Sequence, residues 1–410
     1  MSKSFLRLVS LSFVGLLGLT SCGTSASNSS KPVVFFNRQP SDASTGELDT
    51  DTLNFNDRTY YVGFDSTQGG EAQGQMVVDY IADHVDTIDR NGDGTLGYVL
   101  AIGDQGHNDS IARTKGVREA LGTYNDSTAA GTGVTKEGSV TVGDKTFKVE
   151  ELASQEMKNT SGATWDAPTA GTAIATWKSQ FSDQIDLIIS NNDGMGMAMY
   201  NAAVDKDFEV PVFGYDANSD AVEAINPDSD TASTKGIAYA GTISQHAEYQ
   251  AFATLELIRN ALDGVATDEI YKKGISEPDQ YGNQISGGMN YVEGDRSLYA
   301  LNEAVTADNY TEFLDSTAID SSIKQITSDT TYKVWIDIYN SADNFLSATF
   351  FPLLNQYATL LDIDLTTVQG DGNSESSVTN SFTNLSYYDA YAINMVKTSS
   401  GDSYTNILKR

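Results

Sequence analysis

Short apolar runs rich in β-branched and aromatic residues recur along the chain, at intervals long enough to hold a helix. They read VVFF (33–36), YYVGF (60–64), YVLAI (98–102), DLIIS (186–190), PVFGY (211–215), GIAYAG (236–241), KVWIDIY (333–339), LLDIDL (360–365) and YAINMV (391–396). Strands joined by crossover helices lie parallel, so the pattern predicts an α/β fold. So many repeats fit two doubly wound parallel-sheet lobes joined by a hinge better than one sheet. In such sheets ligands sit beyond the carboxyl ends of the strands. Chemistry is therefore expected in the loops FFN, IGDQGHND, SNNDG and FGYDAN. Segments 266–295 and 316–331 carry the least regular pattern and read as linkers.

The first apolar run differs from the rest. Lys3 and Arg7 precede an uninterrupted stretch from Leu8 to Leu19, which ends in small residues before Cys22. This has the form of a secretory signal (1–22), too short for a permanent membrane span. Its ending, Leu19-Thr20-Ser21-Cys22, resembles a bacterial lipoprotein signal with Cys22 as the lipidated residue; a plain signal peptide with a coincidental cysteine is the alternative. Residues 23–30 are small and polar, as a flexible tether requires. The expected product is exported and lipid-anchored to the cell membrane or its periplasmic face.

Composition narrows the partners. Of 410 residues, 25 are Lys or Arg and 56 are Asp or Glu, a net charge of −31 that opposes nucleic acids and anionic membrane surfaces. A 40% hydrophobic content is enough to bury a sizeable core. The single cysteine excludes disulfide frameworks and Cys-based zinc sites, and three histidines leave little for a His-rich metal site.

Two motifs carry chemistry. Asp89, Asn91, Asp93 and Thr95 in DRNGDGTLG supply oxygens at alternate positions with a glycine at position six, as in a calcium-binding loop. An ion-free Asx-rich turn has the same composition. Position twelve is Leu100, inside the next strand, so the motif is no EF-hand and a carboxylate from elsewhere must complete the shell. The second motif, His107, Asp109 and Arg113 at the mouth of strand YVLAI, combines groups that each engage polyol hydroxyls. A surface ion-pair cluster fits the same spacing. Trp165, in the polar stretch TSGATWDAP, is placed either to cover an apolar sugar face or to anchor its loop. Asn192 and Asp216 follow two further strands and converge on the same sheet end.

Together, YYVGFDSTQGGEAQGQ, DRNGDGTLGYVLAIGDQGHNDSIARTKGV, DLIISNNDGMGMA and PVFGYDAN resemble the bacterial glucose/galactose-binding proteins of ABC transport and chemotaxis, over residues 31 to about 314. The resemblance implies that Asn37, His107, Asp109, Arg113, Asn192 and Asp216 hydrogen-bond a monosaccharide on which Trp165 stacks. It implies further that Asp89, Asn91, Asp93, the Thr95 carbonyl and Asp186 bind structural calcium. Two positions depart from it: Gly97 stands where the family has a glutamine ligand, and Gln245 where it has an asparagine near the hinge.

The order of segments departs as well. The family's opening units are missing before PVVFFN, while KVWIDIYNSADNFLSATFF, LLDIDL and YYDAYAINMV near the end resemble them in sequence order. Asp343 and Phe345 then fall on the family's sugar-binding acid and its second stacking aromatic. The chain therefore reads as a circular permutant. Residues 31–63, 246–291 and 332–410 form the first lobe, 65–244 and 293–315 the second, and 316–331 the linker joining the ancestral ends. The expected function is capture of D-glucose or D-galactose by a monomer for an ABC permease and possible chemoreceptor, with no enzymatic activity. The alternatives are a receptor retuned to another sugar such as a pentose, and a glycosidase using Asp109 and Asp216. Arg113 beside Asp109 should lower the pKa of that carboxyl and oppose the second of these.

Overall fold

The computed structural model describes residues 30–42, 48–125, 135–341, 343–372 and 375–409. The signal-like segment and Cys22 lie outside them.

Two mostly parallel sheets dominate. The first contains β1 (Val33–Phe36), β2 (Thr59–Phe64), β9 (Met289–Val292), β10 (Ser297–Ala300), β12 (Tyr332–Ile338), β13 (Ile363–Gln369) and β14 (Ala390–Ile393), in the order β13-β12-β14-β1-β2-β10-β9. Only the edge strand β9 runs antiparallel. The second contains β3 (Thr95–Ile102), β4 (Glu137–Val142), β5 (Lys145–Glu156), β6 (Ile185–Ser190) and β7 (Val212–Phe213), ordered β4-β5-β3-β6-β7, with β4 antiparallel to β5. A small antiparallel pair, β8 (Thr242–Ser244) with β11 (Glu303–Val305), lies between them in sequence.

The apolar runs become strands because both faces of each sheet are covered. Val33 to Phe36 are wholly buried, as are Val99 to Ala101, the continuous burial that distinguishes parallel strands from half-exposed ones. The helix Ala247–Leu262 is buried along nearly its whole length in the core beneath the first sheet. In the second sheet, residues alternate between two apolar layers: Val99 and Ala101 face one, Tyr98 and Leu100 the other. Helices Ser66–Asp83 and Asn108–Ala120 touch backbone to backbone, since a Cβ on Gly70 would lie 2.2 Å from the Ala112 carbonyl oxygen. That contact fixes the helix carrying Asp109 and Arg113.

The structure differs from the sequence reading in four places. Residues 236–241 form no strand: Gly236 ends a short helix in the left-handed region, and only Gly241 bridges to Phe213. The apolar run 360–365 straddles a helix end and the start of β13. The β4–β5 hairpin is an addition, signalled by alternation in EGSVTV and FKVE and by the Gly143-Asp144 turn. Finally, residues 293–300 do not sit with 65–244 as expected: β10 pairs in parallel with β2 of the first sheet. Leu298, fully buried there, joins the apolar core of the first sheet. Segment 316–331 is polar yet anchored, with Ile323 and Ile326 inserted in the first core.

Candidate functional site

The carboxyl ends of the two sheets face a common pocket. Asn37 and Arg38 follow β1, Tyr339 and Asp343 follow β12, and Met395 and Val396 follow β14; these three strands are neighbours in the first sheet. From the second sheet come His107 after β3, Trp165 after β5, Asn192 after β6 and Asp216 after β7. The pocket is lined by all ten residues singled out from the sequence as sugar contacts: Asn37, His107, Asp109, Arg113, Trp165, Asn192, Asp216, Gln245, Asp343 and Phe345. The cavity they enclose is small, about 40 Å³.

Local structure holds these side chains in place. Asn37, Trp165 and Asp216 have positive φ, of 58°, 60° and 108°; such conformations are costly outside glycine and concentrate at ligand clamps. Asn394 donates to the Phe36 carbonyl at 3.2 Å and to Asn37 Oδ1 at 3.4 Å. Asn191 Oδ1 accepts from the Gly103 amide at 3.0 Å and from Ser110 at 2.7 Å, while its backbone carbonyl accepts from Arg113 Nη1 at 2.7 Å. His107 caps its helix by accepting the Asp109 amide, and Asn192 caps the next by accepting from Met195. Asp343 accepts from the Leu346 amide and the Tyr339 hydroxyl. The Trp165 ring lies flat against Gly103, where an added Cβ would be 2.3 Å from it. Phe345 packs on Phe350, which stacks on Phe36 of β1.

Electrostatically the pocket sets three buried carboxylates against two guanidinium groups. Burial pushes Asp109 up to about 6 and Asp216 up to about 7, although Arg113 opposes both, and burial raises Asp343 as well. Arg113 lowers the Asp109 pKa as expected, but loss of hydration outweighs the cation and the net shift is upward. His107 is held well below its usual value by burial, Arg38 and Arg113. Gln245 bridges the sheets: its Nε2 donates to Asp216 Oδ1 at 2.9 Å, and its Oε1 lies 3.5 Å from Asn37 Nδ2.

Arg38, Tyr339 and Leu346 also line the pocket. Sequence reasoning passed over them, although Arg38 directly follows Asn37 and Tyr339 closes the run KVWIDIY.

The loop Asp89–Gly97 is distant from this pocket in the chain's logic: it precedes β3, at the opposite strand end from His107. Asp89 accepts the Gly92 and Gly94 amides, Asp93 accepts that of Thr95, and Asn91 accepts that of Asp93. Asp186, wholly buried, accepts the Arg90 and Gly97 amides, and burial raises its pKa to about 7, with Asp89 adding to the effect. An all-oxygen donor set around a desolvated carboxylate suits a hard cation in kind. It is incomplete: Gly97 offers no side chain, and a Cβ there would strike the Gln184 carbonyl at 2.0 Å. No three His, Cys, Asp or Glu side chains converge on a common point among the described residues.

Sequence comparison agrees with this architecture. A family described as periplasmic binding protein domain matches residues 19–266, and a second of the same description matches 331–401. The chain belongs to the periplasmic binding protein family. A D-galactose/methyl-galactoside binding periplasmic protein of Haemophilus influenzae is 29% identical over 239 residues, which are 58% of this chain and 59% of that relative. The match thus spans less than two thirds of the relative's length. Among solved structures, a periplasmic solute-binding protein from Actinobacillus succinogenes with bound D-allose has 17% identity and a TM-score of 0.41, over 69% of this chain and 72% of its own. A glucose-galactose binding protein from Geobacillus stearothermophilus has 11% identity and a TM-score of 0.38, over 68% of each chain. As a periplasmic binding protein the chain is an exported one, and no helix among its described residues is long and apolar enough to cross a membrane.

Proposed function

We propose that this protein captures a monosaccharide, D-glucose or D-galactose, in the pocket between its sheets and delivers it to an ABC permease, with Cys22 as its lipid anchor. One observation carries the reading: ten side chains distant in sequence line a single small pocket rich in carboxylates, amides and guanidinium groups, with Trp165 and Phe345 among them. Polar groups fix hydroxyls in a plane, and the aromatic rings cover apolar CH faces. Residues from both sheets give the closed form its higher affinity, which is what drives closure. Calorimetry with glucose, galactose, xylose and ribose tests this. Micromolar or tighter binding of a hexose, lost in Trp165→Ala and in Phe345→Ala, supports the reading; a preference for xylose or ribose moves it to a pentose receptor. Failure of all four sugars to bind overturns it.

The raised carboxyl of Asp109 keeps the glycosidase reading in play, since a general acid needs such a pKa. Turnover of aryl glycosides would favour it. We also propose that the loop Asp89–Gly97 with Asp186 takes a weakly held calcium ion, and that the chain is a circular permutant. The second proposal is supported by β12 and β14 lying between β13 and β1, next to the strand that opens the described chain.

A further inference from the structure

Arg38 is buried and held from three sides. Its Nη1 donates to the carbonyls of Met395 and Val396, its guanidinium lies 3.7 Å from the centre of the Tyr339 ring, and its Nε points across the pocket to His107 Nε2 at 2.7 Å. Both anchors belong to the first sheet, whereas His107 belongs to the second. The imidazole meets a donor on each side, because its Nδ1 faces the Asp109 amide at 3.1 Å. A neutral imidazole has one acceptor nitrogen and one N–H. The two contacts cannot both be hydrogen bonds to a neutral ring; assigning the acceptor nitrogen to Nδ1 as helix cap puts the hydrogen on Nε2, where it faces the Arg38 N–H donor to donor. A guanidinium does not deprotonate, so Arg38 cannot relieve the clash. A second proton on the ring would leave that conflict in place and add another at Nδ1.

We propose that Arg38 and His107 form a two-donor fork that closes on one acceptor oxygen of the bound ligand, making Arg38 a specificity-determining residue. The inference rests on the monosaccharide reading, in which that oxygen is a hydroxyl. Such an oxygen accepts both N–H groups and turns the donor conflict into two hydrogen bonds. Since the two donors come from different sheets, only the closed form offers both, and the fork rewards closure on a ligand that places an oxygen there. A ligand with hydrogen at that position leaves two buried donors unpaired, a large penalty in a site built to bind a hydroxyl.

Calorimetry with D-glucose, D-galactose and their singly deoxygenated analogues tests the fork in the wild type, Arg38→Met and Arg38→Lys. The expected result is that one deoxy analogue binds the wild type about tenfold or more weakly than its parent sugar, while in Arg38→Met most of that difference disappears. The other deoxy analogues should lose the same factor in wild type and variant. Equal discrimination by wild type and Arg38→Met at every position overturns the fork. Should Arg38→Met not fold, Arg38→Lys, which keeps the charge without the fixed Nε, serves in its place. Nitrogen-15 shifts of His107 give an independent reading: hydrogen on Nε2 in free and sugar-bound protein supports the proposal, and hydrogen on Nδ1 overturns it. If the wild type binds none of the sugars, the monosaccharide reading itself has failed; if it binds them and Arg38→Met binds them with the same discrimination, only the fork has.

Discussion

Arg113 Nη1 lies 3.5 Å from Asp216 Oδ1, and both side chains are almost wholly buried. The guanidinium also lies 3.5 Å from the centre of the Tyr215 ring, so its position is fixed before any ligand arrives. It is the cation that acts most strongly on two of the three pocket carboxylates. Arg113→Met should therefore abolish measurable sugar binding, a loss above about 100-fold, since removing one partner of a buried pair costs about 3–5 kcal/mol when the other stays charged. The cost to folding should depend on pH. Without Arg113 the Asp216 pKa rises further above its unfolded value, so the folded state holds the proton more tightly and loses stability as pH rises. Denaturant melts of Arg113→Met should show a larger deficit against wild type at pH 8 than at pH 6. A deficit independent of pH would show that the carboxylates do not feel this charge.

Sugar affinity of the wild type should fall on acidification. Asp216 at about 7 and Asp109 at about 6 are partly protonated in the empty pocket near neutrality, whereas a hydroxyl-donating ligand needs them as acceptors. Below each pKa, binding must expel a proton, at a cost approaching tenfold per pH unit and group. Affinity should thus be highest above pH 7 to 8 and drop steeply toward pH 5, with proton release measurable by calorimetry in buffers of different ionisation enthalpy. A flat profile from pH 5 to 8 would remove these carboxylates from direct contact with the ligand.

Gly103 controls the position of Trp165. A Cβ at this position would overlap the indole ring, and the ring has the His107 imidazole edge-on at 5.9 Å on another side, so it must shift into the pocket. Gly103→Ala should lower sugar affinity about tenfold or more, within the range expected for a lost aromatic contact, while thermal stability changes little because Gly103 lies at a strand end. Unchanged affinity would mean that the ring's placement is immaterial to binding.

Much of this was legible in the sequence because burial on both faces writes continuous apolar runs into parallel strands, and β1, β2, β3, β6 and β12 could be placed directly from VVFF, YYVGF, YVLAI, DLIIS and KVWIDIY. Where burial is one-sided the signal weakens. MNYV of β9 has three exposed residues, and β10 finds its sheet through a register with β2 that only tertiary contact reveals. The pocket residues were legible through their positions just after strands, and Asp343 and Phe345 through resemblance alone. Arg38 was hidden for a physical reason: an arginine beside an asparagine in a loop reads as a solvated cation, and nothing local announces that two carbonyls and a tyrosine ring will bury it. The net effect of burial on Asp109 was equally out of reach, since charge spacing is visible in sequence and desolvation is not.

The loop Asp89–Gly97 offers the last test. Its amides already satisfy Asp89, Asp93 and Asp186, so the loop has a folded conformation that needs no ion. The same carboxylate oxygens keep further lone pairs that a hard cation can use. Gly97 supplies no ligand, which predicts weak binding. Calcium at a hundred times its dissociation constant should stabilise the wild type by about 2.7 kcal/mol, and a chelator should remove that gain without unfolding the protein or abolishing sugar binding. Asp93→Asn removes one negative ligand from an exposed position and should erase the calcium response while leaving the chelated protein's melting temperature almost unchanged. If calcium shifts the melting temperature of neither protein, the hydrogen-bonded turn is sufficient by itself and the alternating oxygens serve only the backbone.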